Sequence, residues 1–139
     1  MKALFIIAQE GFRDEEYYVP KKILEDSGVE VDTASPRGGV CSGMLGGKVK
    51  ADIGFGEVNP EVYDAVVVVG GSGSPRHLWG DVHLHRTLQS AHNAGKVVAG
   101  ICLSGVVLAK AGLLKGRKAT VFDAPEAVIA LRDGGAVYI

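Results

Sequence analysis

The stretch Gly95-Lys96-Val97-Val98-Ala99-Gly100-Ile101-Cys102-Leu103-Ser104-Gly105-Val106-Val107-Leu108-Ala109-Lys110-Ala111-Gly112 changes character halfway along. It opens on a turn residue, runs through apolar positions that read as a buried strand, and passes at Cys102 into residues that suit a helix, which Gly112 stops. A sharp strand-to-helix turn lifts its corner side chain onto the end of the sheet and points the first helical N–H groups at whatever that side chain meets. The positive end of a helix also lowers the pKa of a thiol. Gly100 and Gly105 flank the corner and let the backbone turn tightly. Two readings of Cys102 follow: a nucleophile on an elbow, or a cysteine packed in the core as a small hydrophobe.

Working outward, Ala65-Val66-Val67-Val68-Val69 is the most β-prone run in the chain, and it ends in Gly70-Gly71-Ser72-Gly73-Ser74-Pro75. After that loop Asp81 can cap a helix running to about Asn93, with Leu84, Leu88 and Ala91 along its buried stripe. Residues 3–8 form a continuous apolar run, as a strand buried on both faces should. A loop from Glu10 to Asp14 follows, then a helix over 15–27 that Gly28 stops. Pro20 lies inside it, cannot donate to the carbonyl of Glu16, and predicts a kink or loosening there.

Residues 29–35 read as a second strand, and the Gly-rich segment 40–53 as a hairpin about Gly46-Gly47, an excursion at the sheet edge. Further on come a strand over 116–122, a helix over 124–132 with Pro125 in its first turn, and the start of a strand at Ala136. Strands alternating with helices predict right-handed crossovers and a mainly parallel sheet with helices on both faces, an α/β fold. In such sheets ligands sit beyond the C-terminal strand ends. Three segments converge there: the acidic stretch around Glu16, the Gly70-Gly71 loop, and Cys102.

With 139 residues the chain has room for one domain. A net charge of −1 argues against a nucleic-acid partner, which would need a basic patch. Cys41 and Cys102 lie in unlike contexts outside any CxxC pattern, which favours free thiols in a reducing compartment. The apolar start is too short for a signal peptide, and no run approaches the roughly 18 apolar residues of a membrane span, so a cytoplasmic protein with no membrane partner is expected. His83 and His85 fall on different helix faces, which makes metal ligation by that pair implausible. The glycine loop fits neither the Walker nor the dinucleotide fingerprint, and no cofactor is expected.

A thiolate nucleophile needs a proton partner and donors for developing negative charge. Backbone N–H groups of Gly71 and Leu103 are the natural oxyanion donors. Glu16 is the carboxylate to set against Cys102: protonated, it can donate to a thiolate; ionised, it raises the thiol pKa. Glu10, Asp14 and Glu15 compete on the same loop, while Gly70 and His77 are further candidates at the strand-end crevice. Cys41 has no evident partner.

The opening strand with its acidic loop and helix, the Val-Val-Val-Val-Gly-Gly run, the Ala-Gly-Ile-Cys elbow and the Ala-Gly-Leu-Leu-Lys-Gly-Arg-Lys-Ala-Thr segment, in that order, resemble the PfpI family of the DJ/PfpI superfamily. The match covers nearly all of residues 1–139. The resemblance implies a flavodoxin-like three-layer sandwich, a reactive Cys102, and a homo-oligomer. It also implies an activity on a small carbonyl or peptide substrate, as an intracellular cysteine peptidase or a glyoxalase- or deglycase-like enzyme. A second implied reading is a non-catalytic thiol redox sensor or chaperone-like module.

The peptidase-like branch has a histidine directly after the elbow cysteine, where this chain has Leu103. The other branch has one shortly after a Lys-x-Thr strand, where Thr120-Val121-Phe122-Asp123 offers none. The acidic partner falls on Glu16, four residues before the helix proline; in the peptidase-like branch it lies where Arg13 stands. A Cys102–Glu16 pair suffices for hemithioacetal chemistry, which needs a nucleophile and one proton carrier, whereas peptidase activity is expected to be weak or absent. Relative to the family, the single domain 1–139 is expected to lack a C-terminal strand and helix, leaving an exposed edge near Ile139.

Overall fold

A computed structural model describes residues 1–139. In chain order the elements are β1 (Lys2–Ile6), β2 (Glu10–Phe12), α1 (Asp14–Asp26), β3 (Glu30–Ser35), β4 (Gly39–Gly43), β5 (Lys48–Ala51), β6 (Ile53–Gly54), β7 (Ala65–Val68), α2 (Ser74–His77), α3 (Val82–Asn93), β8 (Val97–Gly100), α4 (Gly105–Lys110), β9 (Lys118–Ala119), α5 (Pro125–Asp133) and β10 (Val137–Tyr138). Five strands form one parallel sheet in the order β6-β3-β1-β7-β8. This is the expected α/β architecture, a flavodoxin-like fold in which the chain leaves β1 toward β3 and returns on its other side at β7. The reversal opens a crevice beyond the ends of β1 and β7. Register keeps those ends level, with Ile6 opposite both Ala34 and Val68, and Val68 opposite Gly100.

The apolar run of the first strand is buried because it has a strand on either side, and Leu4, Phe5, Ile6 and Ile7 are fully enclosed. Each such side chain contributes roughly 1.5–3 kcal/mol. Tyr17 pins α1 to this core: its ring stands edge-on to Phe5 and Phe12, and its hydroxyl meets Thr33 Oγ1 at 2.7 Å. Asp81 caps α3 by accepting the Leu84 N–H at 2.9 Å, and Leu84, Leu88 and Ala91 are buried as the helical spacing predicts. A smaller apolar cluster of Val106, Ala109, Val121, Ala127, Leu131 and Ala136 joins α4 to α5. No helix is long and apolar enough to cross a membrane.

Four expectations are corrected. The strand before the elbow, β8, is not buried: it pairs only with β7 at the sheet's edge, and Val97 is 63% exposed. α1 runs unbroken from Asp14 to Asp26 with Pro20 inside it, so the helix is not loosened to the point of breaking, and Glu16 lies in its first turn. The hairpin turns where expected, but β4 pairs with β2 in a separate three-stranded sheet rather than lying at the edge of the main one. Only Lys118–Ala119 of the segment 116–122 is strand, paired with β10. Beyond it the chain folds onto the elbow, where the Phe122 N–H donates to the Cys102 carbonyl at 3.3 Å.

Candidate functional site

Cys102 has φ +56°, the one non-glycine residue in the left-handed region. That conformation costs on the order of 1–3 kcal/mol and persists where the surroundings over-determine it. Here they do. Ile101 N–H donates to the Val68 carbonyl at 3.0 Å and Ser104 N–H to the Ile101 carbonyl at 2.9 Å. Beneath the corner the buried Ser104 hydroxyl donates to the Val69 carbonyl at 2.7 Å and accepts from Ser74 Oγ at 2.7 Å. Trp79 Nε1 donates to the Leu103 carbonyl at 3.0 Å. A short 3-10 turn, Cys102–Ser104, separates the corner from α4.

Cys102 is partly exposed at this corner, not sealed in the core. Glu16, Gly71 and Leu103 line the same pocket as its sulfur, where the backbone N–H groups of Leu103 and Gly71 favour the thiolate and the Glu16 carboxylate opposes it. Glu16 Oε1 also accepts the Gly70 N–H at 2.9 Å. Cys102, Glu16, Gly70, Gly71 and Leu103 therefore come together. His77 does not join them: it sits at the end of α2 outside the pocket around the sulfur, and burial, then neighbouring Arg76, hold its pKa below the ordinary value. Cys41 is buried in the small sheet, where Gln9 Nε2 donates to its sulfur at 3.6 Å. No cluster of three or more ligating side chains suits a metal ion.

Burial pushes the Cys102 thiol up, and the Glu16 charge adds to it, outweighing the two N–H donors. The expectation that the elbow would lower this pKa is thereby reversed. Burial also pushes Glu16 up, against the Gly70 N–H and the nearby Arg13 charge. Both shifts favour the protonated form of each group, so the thiol keeps its proton at neutral pH beside a carboxyl more basic than an exposed one.

A cavity of about 270 Å³ opens over the sulfur, lined by Arg13, Glu16, Met44, Gly71, Ser72, Cys102, Leu103 and Phe122. A wider cleft of about 610 Å³ between α4 and α5 is remote from these groups. Sequence reasoning missed Arg13, Met44, Ser72 and Phe122 as wall residues. Met44 arrives on the β4–β5 turn, its N–H donating to the Phe12 carbonyl at 2.8 Å and its Sδ accepting the Ser72 N–H at 3.2 Å. Asp14 holds that turn by accepting the N–H groups of Leu45 at 3.0 Å and Gly47 at 2.8 Å. A methyl group at Gly43 or Gly47 would strike its carboxylate. The signal was an acid at the start of α1 together with two glycines in the hairpin.

The description "DJ-1/PfpI family" fits residues 1–139. The chain is 47% identical over 137 residues to the protein MJ0967 of Methanocaldococcus jannaschii, covering 99% of this chain and 67% of that one. It is 40% identical over 122 residues to the deglycase PfpI of Pyrococcus furiosus, covering 88% of this chain and 72% of the relative. Among solved structures, a ThiJ/PfpI domain protein from Brachyspira murdochii superposes with a TM-score of 0.91 at 35% identity, covering 99% of this chain and 78% of that one. With fold, whole-length match and relatives in agreement, the chain belongs to the DJ-1/PfpI family.

Proposed function

We propose that this protein is a cysteine-dependent enzyme of the deglycase and hydrolase kind, acting on small reactive carbonyls and their adducts. One observation carries the reading: Cys102, held at a strained corner, lines a single pocket with the Glu16 carboxyl and with Gly71 and Leu103. The name "deglycase" of the Pyrococcus furiosus relative supports it.

Glu16, made more basic by burial, takes the proton as Cys102 Sγ attacks an aldehyde carbon. The S–C bond forms, the carbonyl π pair moves to oxygen, and the Gly71 and Leu103 N–H groups stabilise that charge. Glu16 then returns its proton to the oxygen, giving a hemithioacetal. With a 2-oxoaldehyde, Glu16 removes the C1 proton and delivers it to C2 through an enediol, while the C1 hydroxyl proton passes to the C2 oxygen, so that the aldehyde carbon is oxidised to a thioester and the ketone carbon reduced to an alcohol within one molecule. Water cleaves the resulting thioester to a hydroxy acid and the free thiol. No histidine lines the pocket, so an amide's leaving amine has only Glu16 to protonate it, and peptide hydrolysis is disfavoured.

The test is turnover of methylglyoxal to lactate and release of amine from its adducts, beside cleavage of a fluorogenic peptide. Cys102→Ser should abolish the first two and Glu16→Gln should slow them by on the order of 10²-fold. Turnover that survives Cys102→Ser overturns the reading. No turnover by the parent protein, with peroxide-dependent oxidation of Cys102, would leave the thiol sensor.

A further inference from the structure

We propose that Arg13 makes the Cys102 pocket selective for 2-oxoaldehydes that carry a carboxylate, gripping that carboxylate while the carbonyl faces the sulfur. This rests on the function proposed above and names the substrate class within it. Among the eight lining residues Arg13 is the one cation and Glu16 the one acid, and Glu16 already accepts the Gly70 N–H at 2.9 Å. A negative group entering the pocket therefore has a single charged partner.

The guanidinium is free to serve. Its Nε donates to Glu15 Oε2 at 2.7 Å and one Nη2 hydrogen makes a long 3.4 Å contact to Oε1, which leaves three of five N–H donors unengaged. Both partners of that ion pair are about half exposed, at 42% and 53%, so solvent screens it and the fork is readily shared with a second carboxylate. The root of the side chain is fixed, because the Arg13 N–H donates to the Gly70 carbonyl at 3.0 Å on the loop that also holds Glu16. Met44, Leu103 and Phe122 line the same pocket, so the planar fork is the group that can meet an entering carboxylate with two parallel N–H bonds. A volume of about 270 Å³ lies just below the range of drug-sized ligand sites and suits a molecule of a few carbons rather than a polypeptide.

Two probes with the same dicarbonyl head decide the matter: 4,5-dioxopentanoate, which ends in a carboxylate, and neutral 2-oxopentanal. In the parent protein kcat/KM should favour the acid by at least about tenfold. Arg13→Leu should bring the ratio close to one, Arg13→Glu should invert it, and Arg13→Lys should restore part of it. Any change the variants make at the sulfur acts on both probes and cancels in the ratio. An independent readout is protection of Cys102 from iodoacetamide by propionate but not propionamide, seen in the parent and lost in Arg13→Leu. Equal kcat/KM for the two probes in the parent protein overturns this inference and leaves the enzyme reading intact. Turnover of neither probe, with propionate protection retained, sinks the enzyme reading while the anion grip of Arg13 stands.

Discussion

Glu16 Oε1 accepts the Gly70 N–H at 2.9 Å, holding a carboxyl from the first turn of α1 against a loop 54 positions further along the chain. Position 70 must be glycine for this to happen. A Cβ there would lie 2.6 Å from the Ile101 carbonyl oxygen, 2.7 Å from Glu16 Oε1 and 2.9 Å from Cys102 Cβ. Two of these neighbours are the proposed catalytic side chains, and the backbone oxygen cannot swing aside. Gly70→Ala should cost about 1–3 kcal/mol in urea unfolding and lower turnover at least tenfold. Parent-like turnover in this variant would show that the carboxyl and sulfur need not meet across residue 70.

The titration of the thiol tests the pairing directly. Since burial and then the Glu16 charge raise the Cys102 pKa, its alkylation rate should keep climbing above about pH 8.5, where an ordinary cysteine is half ionised. Glu16→Gln removes the charge and should move that curve to lower pH. A parent curve lying at or below that of free cysteine contradicts the arrangement.

Asp14 supports the pocket from outside it. Burial works against its ionised form, but the Leu45 and Gly47 N–H groups win and hold the carboxyl below its ordinary value. A depressed carboxyl contributes stability above its unfolded pKa, near 3.9, and loses it as pH falls through the lower folded value. Asp14→Ala should therefore cost roughly 2 kcal/mol at neutral pH, with the deficit shrinking below about pH 4. Met44 should lose its seat on Ser72, visible as faster oxidation of that methionine by peroxide. A deficit independent of pH would assign the effect to packing instead.

The serine pair under the elbow makes a graded prediction. Ser104→Ala removes the donor to the Val69 carbonyl and the acceptor of Ser74 together, leaving two buried groups unpaired, at roughly 1–3 kcal/mol. Ser74→Ala leaves the Ser104–Val69 bond intact and should cost about 1 kcal/mol or less. Thermal unfolding of both variants checks the order; a larger loss from Ser74→Ala would reverse the assigned direction of the chain of hydroxyls.

What could be read from the chain alone was whatever local pattern encodes. The valine run, the Asp81 cap and the change of period at Cys102 each carry their physics within a few residues, so the sheet, α3 and the elbow were foreseeable. Glu16 was found from its place after the first strand, and α1 carries it in its first turn, unbroken despite Pro20. Arg13, Met44 and Phe122 were not foreseeable as wall residues. Their positions depend on Asp14 reaching a turn 31 residues away, and on the segment after Ala119 folding onto the elbow. An ionised Glu16 was seen to raise the thiol pKa, but the larger contribution of burial was out of reach, because it depends on tertiary packing around the corner.

The positive φ at Cys102 sets usefulness against durability at a single position. Glycine adopts that backbone conformation without the Cβ penalty, so Cys102→Gly should yield a protein that melts later than its parent and processes nothing. Keeping a cysteine there is a standing concession of thermal stability to reactivity.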